Sequence, residues 1–351
     1  MPIDLAAGCP AGRPGVDALA ALDAIWRAVE AGSGNSSIFL APPWQRAWWR
    51  HFGGGRPLRV AVLPPPSATA HGEGEPPVAL APFFEDRGVL RLVGAPDGPV
   101  DVADYLDILA LAGREAEAWE RLSAWLAEQA DVARAVLDNV PDDSPTLAVA
   151  GAALARAGLA LSVEEQARSP VIALPADYDA YLAGLGREAR HELRRKVRRF
   201  EREAPGASVR LLRRDEAVAA LPEFIALHRR SGAEKARFMT PAMEAFFRDM
   251  AAGIAERDEL VIARLADADD RPLAAMCLFD YRGGWYLYNS GYDPSTARLS
   301  PGLVLLARCI EAACRRGVRV FDFLRGTERY KYDLGGRDRV VRRLTIERGG
   351  R

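Results

Sequence analysis

The sequence has few of the residues that build metal centres or disulfide frameworks. It contains four cysteines and four histidines in 351 residues. The cysteines form no CxxC pair, and Cys277, Cys309 and Cys314 fall in apolar segments, as reduced core residues do. The histidines form no HExxH motif and no zinc-type cluster. We therefore expect a cytoplasmic protein without metal and without a disulfide framework.

Long apolar runs are also missing. The longest, LAVAGAALARAGLALSV, is interrupted by Arg156 and consists mainly of small residues, so it predicts a short helix followed by a strand. The segment AAGC that ends at Cys9 has the form of a lipoprotein cleavage site. The residues before it have neither a basic region nor a hydrophobic stretch. We expect neither a membrane-spanning helix nor a lipid anchor.

The sequence also has no large excess of positive or negative charge. The net charge is −1, from 47 basic and 48 acidic residues. Nothing global therefore directs the protein to nucleic acid or anionic membranes, and such binding would need a local patch. A composition of 49% hydrophobic and 27% charged residues is that of a globular protein. The length suits two domains of ordinary size.

The first half, residues 1–168, predicts a mixed α/β domain. Helical patterns cover residues 16–31 and the segment APPWQRAWWRHF, and the strand-like runs LRVAVL, PVALAPFF and GVLRLVG follow. The segment PPPSATAHGEGEPP between the first two runs predicts a disordered hairpin loop. A helix, a strand, a helix that begins at Ser144-Pro145 and strands near residues 159–174 complete the half.

The second half, residues 169–351, repeats this order of elements. A helix over residues 178–203 is followed by the strand SVRLL and by helices near 215–231 and 241–256. Residues 259–293 predict three consecutive antiparallel strands. The next helix has Ser300 as its N-cap, Pro301 at its first position and Gly317 as its end. The strands VRVFDFLRG and RVVRRLTIE close the chain.

A carboxylate interrupts the strand VRVFDFLRG. By alternation, Asp322 shares a face with Val320 and Leu324, so it lies among apolar side chains. A buried carboxylate must be paired or have a shifted pKa. Asp322 is then either half of a structural ion pair with Arg325 or Arg298, or a catalytic base at the edge of the sheet.

The helix at residues 187–203 is strongly basic. It carries eight basic residues against four glutamates, and the pairs Glu192–Lys196 and Arg199–Glu203 have the spacing of ion pairs within a helix. The residues predict a solvated, salt-bridged face. The alternative is a surface for a sugar nucleotide, a lipid phosphate or tRNA.

Several segments resemble one family as a set. They are AYLAGLGREARHELRRKVRRFERE, WYLYNSGYDPSTARLSPGLVLL and VFDFLRGTERYKYDLGG, together with IFLAPPWQRAWWRHFG and VALAPFF in the first half. The chain resembles GNAT acyltransferases of the cellulose-biosynthesis (CelD-type) family, relatives of the Fem-like peptidyltransferases. The resemblance implies tandem GNAT-like domains, each with a central, mostly antiparallel sheet flanked by helices, the N-terminal one non-catalytic.

The resemblance also implies a binding site for acetyl-CoA or another acyl-CoA. Two neighbouring strands would splay apart, and the pyrophosphate would lie on the start of the next helix, at Ser300, Gly302 and Leu303, with Arg298 adding charge. The usual GNAT signature has a glycine where this chain has Pro301. The alternative reading of this segment is an ordinary helix start.

Acyl transfer from a thioester needs a neutral nucleophile, a stabilised oxyanion and a proton for the thiolate, whose pKa is about 8.5. Tyr288, Asn289 and Ser290 end the first splayed strand, where a backbone N–H would meet the oxyanion. By resemblance, Asp322, Tyr330 and Lys331 form the catalytic group on the acceptor side. The alternatives are a core tyrosine at 288 and a solvated lysine at 331.

The leading hypothesis is an acyl-CoA-dependent N- or O-acyltransferase that acts on a polysaccharide precursor or another cell-envelope metabolite. One alternative is a Fem-like transferase with aminoacyl-tRNA as donor, and tRNA is the one nucleic acid considered. The other is a catalytically silent GNAT-like scaffold. Peripheral association with a membrane biosynthetic complex is an option under each hypothesis.

Overall fold

The computed structural model describes residues 14–64, 77–98 and 100–349. The AAGC segment and most of the PPPSATAHGEGEPP segment lie outside these residues. The chain divides into two compact units, residues 1–167 with 340–351 and residues 168–339. Residues 340–351 had been assigned to the C-terminal domain from the sequence. They belong to the first unit because their strand pairs with a strand of that unit.

The described residues of the first unit form strands of a mixed sheet and five α-helices. Its helices and strands are α1 (Pro14–Ala21), α2 (Asp23–Gly32), α3 (Pro42–Phe52), β1 (Leu58–Leu63), β2 (Ala79–Asp86), β3 (Val89–Leu92), β4 (Leu109–Ala110), α4 (Glu115–Glu128), β5 (Arg134–Pro141), α5 (Pro145–Arg156) and the first part of β6 (Leu159–Ala173).

The second unit begins within β6 and ends within the last strand. Its elements are α6 (Tyr178–Gly184), α7 (Arg187–Glu203), β7 (Ser208–Arg213), α8 (Arg214–Arg230), α9 (Ala233–Phe238), α10 (Pro241–Glu256), β8 (Leu260–Ala266), β9 (Pro272–Tyr281), β10 (Gly284–Tyr292), α11 (Pro301–Arg315), β11 (Val320–Asp322), α12 (Arg329–Asp333) and β12 (Arg337–Arg348).

Among the strand pairs described below, each unit has one parallel pair and the others are antiparallel. In the first unit, β1, β2 and β3 are antiparallel neighbours, β3 pairs with β5 in parallel, and β5 pairs with β12. In the second unit, β7, β8, β9 and β10 are antiparallel neighbours, β10 pairs with β11 in parallel, and β11 pairs with β6. The predicted class, α/β domains with mixed sheets flanked by helices, is confirmed.

The second unit has helices on both faces of its strands. Trp285 and Leu287 of β10 pack with α6, α7 and α11 in one apolar cluster. Tyr288, the next residue, stacks instead on Phe247 of α10, with ring centroids 5.5 Å apart. Neighbouring side chains of a strand point to opposite faces, so α11 and α10 lie on opposite sides of β10. The two faces define two approaches to the same strand.

Three predicted elements differ in the structure. The helix expected over residues 178–203 is two helices, α6 and α7, separated at Leu185 and Gly186. The short helix α12 occupies residues that were expected to form a loop. The strand β11 ends at Asp322 because Leu324 adopts φ 58°, a left-handed conformation that a strand does not accommodate. No helix of the described residues has the length and apolarity to cross a bilayer.

Candidate active site

A gap opens between β10 and β11. The two strands pair in parallel only at Gly284–Tyr286 and Val320–Asp322. Strand β11 then ends, while β10 continues to Tyr292 with a shift of register between Leu287 and Asn289. A strand that continues past its partner leaves backbone groups unpaired on that edge. The gap therefore offers main-chain N–H groups beside a bulge, as an oxyanion site requires.

Asp322 shapes the turn at the end of β11. It is 1% exposed, and its carboxylate accepts a hydrogen bond of 2.7 Å from the backbone N–H of Leu324. The guanidinium of Arg339 lies 3.9 Å away. The proposed partner Arg298 instead pairs with Glu203 at 2.6 Å. In this arrangement the carboxylate holds the left-handed Leu324 in place, as the structural alternative requires, and the catalytic base stays a prediction.

Lys331 ties down the loop after β11. Only 3% of the residue is exposed. Its Nζ donates to the carbonyl oxygens of Leu324, Arg325 and Gly326 at 3.3, 2.9 and 3.1 Å and lies 2.9 Å from Glu328. An ammonium group has three N–H donors, so these four acceptors use all of them. Neither the solvated lysine nor the substrate-facing lysine of the sequence analysis describes this residue.

Tyr330, the neighbour of Lys331, borders a cavity of about 540 Å³ on the α11 face. Its ring packs edge-on against Phe323, with centroids 6.2 Å apart. Desolvation of the hydroxyl, and then the charge of Glu328, raise the pKa of Tyr330 although the residue is 39% exposed. The hydroxyl is therefore protonated at neutral pH. Charged and apolar residues line the cavity with it: Arg187, Glu188, Glu192, Lys196, Leu303, Arg329 and Asp333.

The start of α11 reaches the same cavity through Leu303. Ser300 adopts φ 54° and its side chain makes no capping hydrogen bond, so the predicted N-cap is wrong in its chemistry. The first N–H groups of α11 are thus not capped by Ser300, and they carry the positive end of the helix dipole. A Cβ on Gly302 would have Tyr292 as its nearest neighbour, at 4.0 Å. Space therefore exists beside this helix start.

The residues that end β10 face α8, α9 and α10. Tyr288 packs between Phe247 and Phe279, so it is the core tyrosine of the alternative reading and does not line the cavity. Asn289 Oδ1 lies 3.0 Å from Nε2 of His228 in α8. The carbonyl oxygen of Ser290 accepts a 2.5 Å hydrogen bond from Nζ of Lys235 in α9. The predicted role of this segment at the donor, a backbone N–H that meets the oxyanion, stays a prediction.

His228 connects α8 to the bulged part of β10. It is 1% exposed, and desolvation, with the nearby charge of Lys235, lowers its pKa to about 4. Its Nδ1 has no hydrogen-bond partner in the described residues. The helix backbone approaches closely here, since a Cβ on Gly291 would lie 2.3 Å from the His228 nitrogen. A neutral imidazole thus positions Asn289 from the face opposite α11.

The residues His228, Lys235 and Glu328 were not singled out from the sequence. They lie on α8, on α9 and on the loop before α12. Glu328 forms an ion pair with Lys331, and its charge partly opposes the desolvation that lowers the pKa of Lys235. His228 lies about sixty residues before its partner Asn289, and Lys235 about ninety residues before Glu328, so neither pair forms a local sequence pattern. A weak signal existed in composition, because only three of the 47 basic residues are lysines, at positions 196, 235 and 331.

The first unit has a corresponding strand pair without a gap. Strand β3 pairs with β5 at Val89–Arg91 and ends at Leu92, while β5 continues to Pro141. Beyond the last pair, the carbonyl oxygen of Asn139 accepts from Leu106 N–H at 2.9 Å, and its Nδ2 donates to Ala103 at 2.7 Å. The inserted segment is buried to 3% exposure or less at residues 102, 103 and 105–108. Its own chain fills the place where β3 and β5 diverge.

Comparison with known proteins agrees with this geometry. Residues 187–332 match the family model of the acetyltransferase (GNAT) domain. The match covers the gap, α7, α11 and most of α12. It supports an acyltransferase, as predicted, in the second unit. No curated protein sequence matches the chain.

Solved structures match the chain across both units. A crystal structure of FemX is 13% identical, covers 93% of this chain and 95% of its own, and has a TM-score of 0.61. L-PGS from Bacillus licheniformis is 12% identical, with coverage of 93% and 91% and a TM-score of 0.58. The C-terminal domain of a putative lysylphosphatidylglycerol synthetase from Agrobacterium fabrum is 13% identical, with coverage of 93% and 92% and a TM-score of 0.57. At these identities the similarity shows the fold.

Proposed function

We propose that the second unit transfers an acyl group from acyl-CoA to an amine or hydroxyl of a polysaccharide precursor or another cell-envelope metabolite. The observation that carries the proposal is the gap between β10 and β11, which opens beside a bulge. The cavity that Tyr330 and Leu303 line lies on the α11 face of these strands. The resemblance to the CelD-type family motivates the class of acceptor. The first unit serves as a non-catalytic scaffold, because its own chain fills the corresponding place.

The residues of the cavity fit an acyl-CoA in part. Arg187 makes no ion pair among the described residues and Lys196 is 3.5 Å from Glu192, so cationic groups are available for phosphates. Glu188 and Asp333 also line the cavity, so the site is not uniformly positive. The first N–H groups of α11 and the open space at Gly302 add a place for an anion. We assign phosphate binding to this end of the cavity.

Acyl-CoA supplies the thioester whose carbonyl carbon is attacked. Main-chain N–H groups of β10 after Tyr286 stabilise the oxyanion at the bulge. Tyr330 has a pKa above that of a thiol, about 8.5, so it stabilises the departing sulfur as a hydrogen-bond donor and keeps its own proton. The thiolate then takes a proton from water. Lys331 and Asp322 hold the loop that carries Tyr330.

Calorimetric titration of the intact protein with acetyl-CoA tests the donor. We expect micromolar binding by the wild type and at least tenfold weaker binding by Gly302→Ala, because the added methyl group occupies the approach to the helix start. Its nearest neighbour is 4.0 Å away, so the melting temperature should not fall. Gly151→Ala in α5 of the first unit, with its nearest neighbour at 3.9 Å, is the matched control and should bind normally. Wild-type protein that binds no acetyl-CoA well above micromolar concentration would refute the proposal.

A transferase that uses aminoacyl-tRNA is the second candidate. The observation that favours it is α7, where Arg187, Arg194 and Arg198 make no ion pair among the described residues and fall within one narrow arc of the helix. The similarity in fold to FemX and to a putative lysylphosphatidylglycerol synthetase is compatible with it.

A mobility-shift assay with charged tRNA at low salt tests this candidate. It requires a shift that Arg194→Glu with Arg198→Glu abolishes. Arg195→Glu is the control, since the guanidinium of Arg195 is already bonded twice to Glu192, at 2.7 and 2.8 Å. Absence of a shift with the wild type at low salt would exclude the candidate.

A further inference from the structure

Two of the three lysines of the chain border the gap, and their surroundings differ. Lys331 has all of its donors engaged by three carbonyl oxygens and Glu328. Lys235 has one short hydrogen bond, of 2.5 Å to the carbonyl of Ser290, and its second contact, to Ser290 Oγ, is 3.5 Å long. It forms no ion pair with a carboxylate in the described part of the chain. Lys235 therefore has bonding capacity left for a ligand.

The contact with Ser290 places Lys235 where the gap has opened. The last pair between β10 and β11 joins Tyr286 to Asp322, and Ser290 lies four residues further along β10, after the bulge. Lys235 approaches from α9, on the face opposite α11 and the cavity that Tyr330 borders. A nucleophile that attacks a donor held on the α11 face would arrive from this side.

The surroundings of Lys235 make its amine easier to deprotonate than that of a free lysine. Desolvation lowers its pKa, and the charge of Glu328 partly opposes this shift. Glu328 is itself 2.9 Å from Lys331. From α8 the facing group is His228, a neutral imidazole at neutral pH, and Glu234 and Arg237 stand on α9 itself. Burial without a bonded carboxylate is the condition under which a lysine serves as a base.

The choice of amino acid points the same way. The chain uses arginine for all but three of its 47 basic residues, so a lysine at this position stands out. An arginine would also bond the Ser290 carbonyl, yet it does not lose its proton in proteins. His228 is the neighbouring alternative, but its Nε2 is engaged with Asn289 and the residue is 1% exposed.

We propose that Lys235 is the catalytic base of this site, and that its neutral amine takes the proton of the acceptor as the acceptor attacks the acyl carbon. The inference rests on the proposed acyl transfer. The N–H or O–H bond of the acceptor breaks as its bond to the acyl carbon forms, and the proton goes to Nζ. The carbon–sulfur bond breaks, the thiolate takes a proton from water, and Lys235 returns its proton to water.

The scarcity of lysine gives a direct test of the titration. Protein labelled with ¹³C at lysine Cε should show three resonances, assigned with Lys196→Arg, Lys235→Arg and Lys331→Arg. We expect the Lys235 resonance to titrate below the value of 10.5 for a free side chain. Glu328→Gln should lower that midpoint further, because it removes the charge that raises it. A midpoint at or above 10.5, or one that Glu328→Gln leaves unchanged, would overturn the proposal.

A kinetic measurement separates catalysis from a structural role. Release of CoA thiol from acetyl-CoA, with ethanolamine as the probe acceptor, should rise with pH through the measured midpoint of Lys235. Lys235→Arg should keep its melting temperature and acetyl-CoA affinity but lose at least a hundredfold in rate and the pH dependence. Arg156→Lys in α5 of the first unit, which changes only an exposed ion pair with Glu120, is the control and should behave as the wild type does. A Lys235→Arg protein with the wild-type rate and profile would refute the base.

The two proposals fail in different ways. If acetyl-CoA does not bind the wild type, the acyl-CoA function is wrong, whatever the lysine titration shows. If acetyl-CoA binds but Lys235 titrates as a free lysine, the donor assignment stands and the base is wrong.

Discussion

Both units contain a strand, a helix and a second strand that is parallel to the first. They differ in what lies where the two parallel strands diverge. In the first unit the three elements are β3, α4 and β5, and in the second they are β10, α11 and β11. The first unit places its buried residues 102, 103 and 105–108 beside Asn139, where the strands diverge. The second unit leaves a gap with Asn289, Ser290 and Lys235 on one side.

The length of one connection accounts for the difference. Residues 93–114 separate β3 from α4, whereas residues 293–300 separate β10 from α11. The long connection contributes buried apolar side chains at residues 102, 103, 105, 106 and 108. In the short connection, none of residues 293–300 is fully buried. One unit therefore gains a filled interior at the point where the other keeps space for a ligand. The comparison predicts that stability and ligand binding respond to different substitutions in the two units.

The largest effect is expected at the loop that borders the open gap. Lys331→Met should destabilise the protein by about 3 to 5 kcal/mol, because it leaves three loop carbonyls without their buried donor. Chemical denaturation measures the change. Lys196→Met is the matched control, since Lys196 makes only a half-exposed ion pair at 3.5 Å, and should cost about 0.5 kcal/mol or less. Equal effects would show that Lys331 does not hold the loop.

A pH dependence should mark the packing of α8 on β10. His228 has a folded pKa of about 4, below the 6.5 of an unfolded histidine. The unfolded chain therefore binds a proton first, and stability falls as the pH drops from about 6.5 to about 4, by about 3 kcal/mol in total. His228→Gln should remove this part of the acid sensitivity in denaturation curves. His51→Gln in α3 of the first unit is the control, and a His228→Gln protein with the wild-type pH profile would contradict the assignment.

A smaller effect is expected where the first unit is filled. Asn139→Gly keeps the left-handed backbone at φ 62° and removes the side-chain bond to Ala103. We expect a loss of about 1 kcal/mol in the free energy of unfolding. Acetyl-CoA affinity should not change, since this unit does not hold the donor. A loss of affinity would place the first unit in the binding site.

The sequence predicted the secondary-structure elements more accurately than the contacts between side chains. The start signals at Ser144 and Pro301 located α5 and α11 at the observed residues, and hydrophobic periodicity located α10. The left-handed turn at Leu324 could not be predicted, because it depends on the Asp322 carboxylate bonding a backbone N–H two residues on. Strand β11 therefore ends early, and the carbonyl oxygens of the loop that follows accept from Lys331.

The sequence also could not predict that the site is divided between the two faces of β10. The bulge between Leu287 and Asn289 decides which side chains of β10 face α8 and which face α11, and a one-residue shift reverses all of them. The sequence therefore assigned Asn289 and Ser290 to the donor, whereas they contact His228 and Lys235. Resemblance identified the fold and the segment around Tyr330, and packing alone identified Lys235.

Hydrogen exchange with and without acetyl-CoA tests the central claim, that the donor occupies the gap of the second unit. The full-length protein undergoes exchange, is then digested, and its peptides are analysed by mass spectrometry. Both strand pairs are thereby compared in one sample. We predict slower exchange in peptides that cover residues 287–292 and 301–305, where free N–H groups meet the donor, and no change at residues 89–92 and 134–141. Protection at β3 and β5, with none at β10 and α11, would contradict the account.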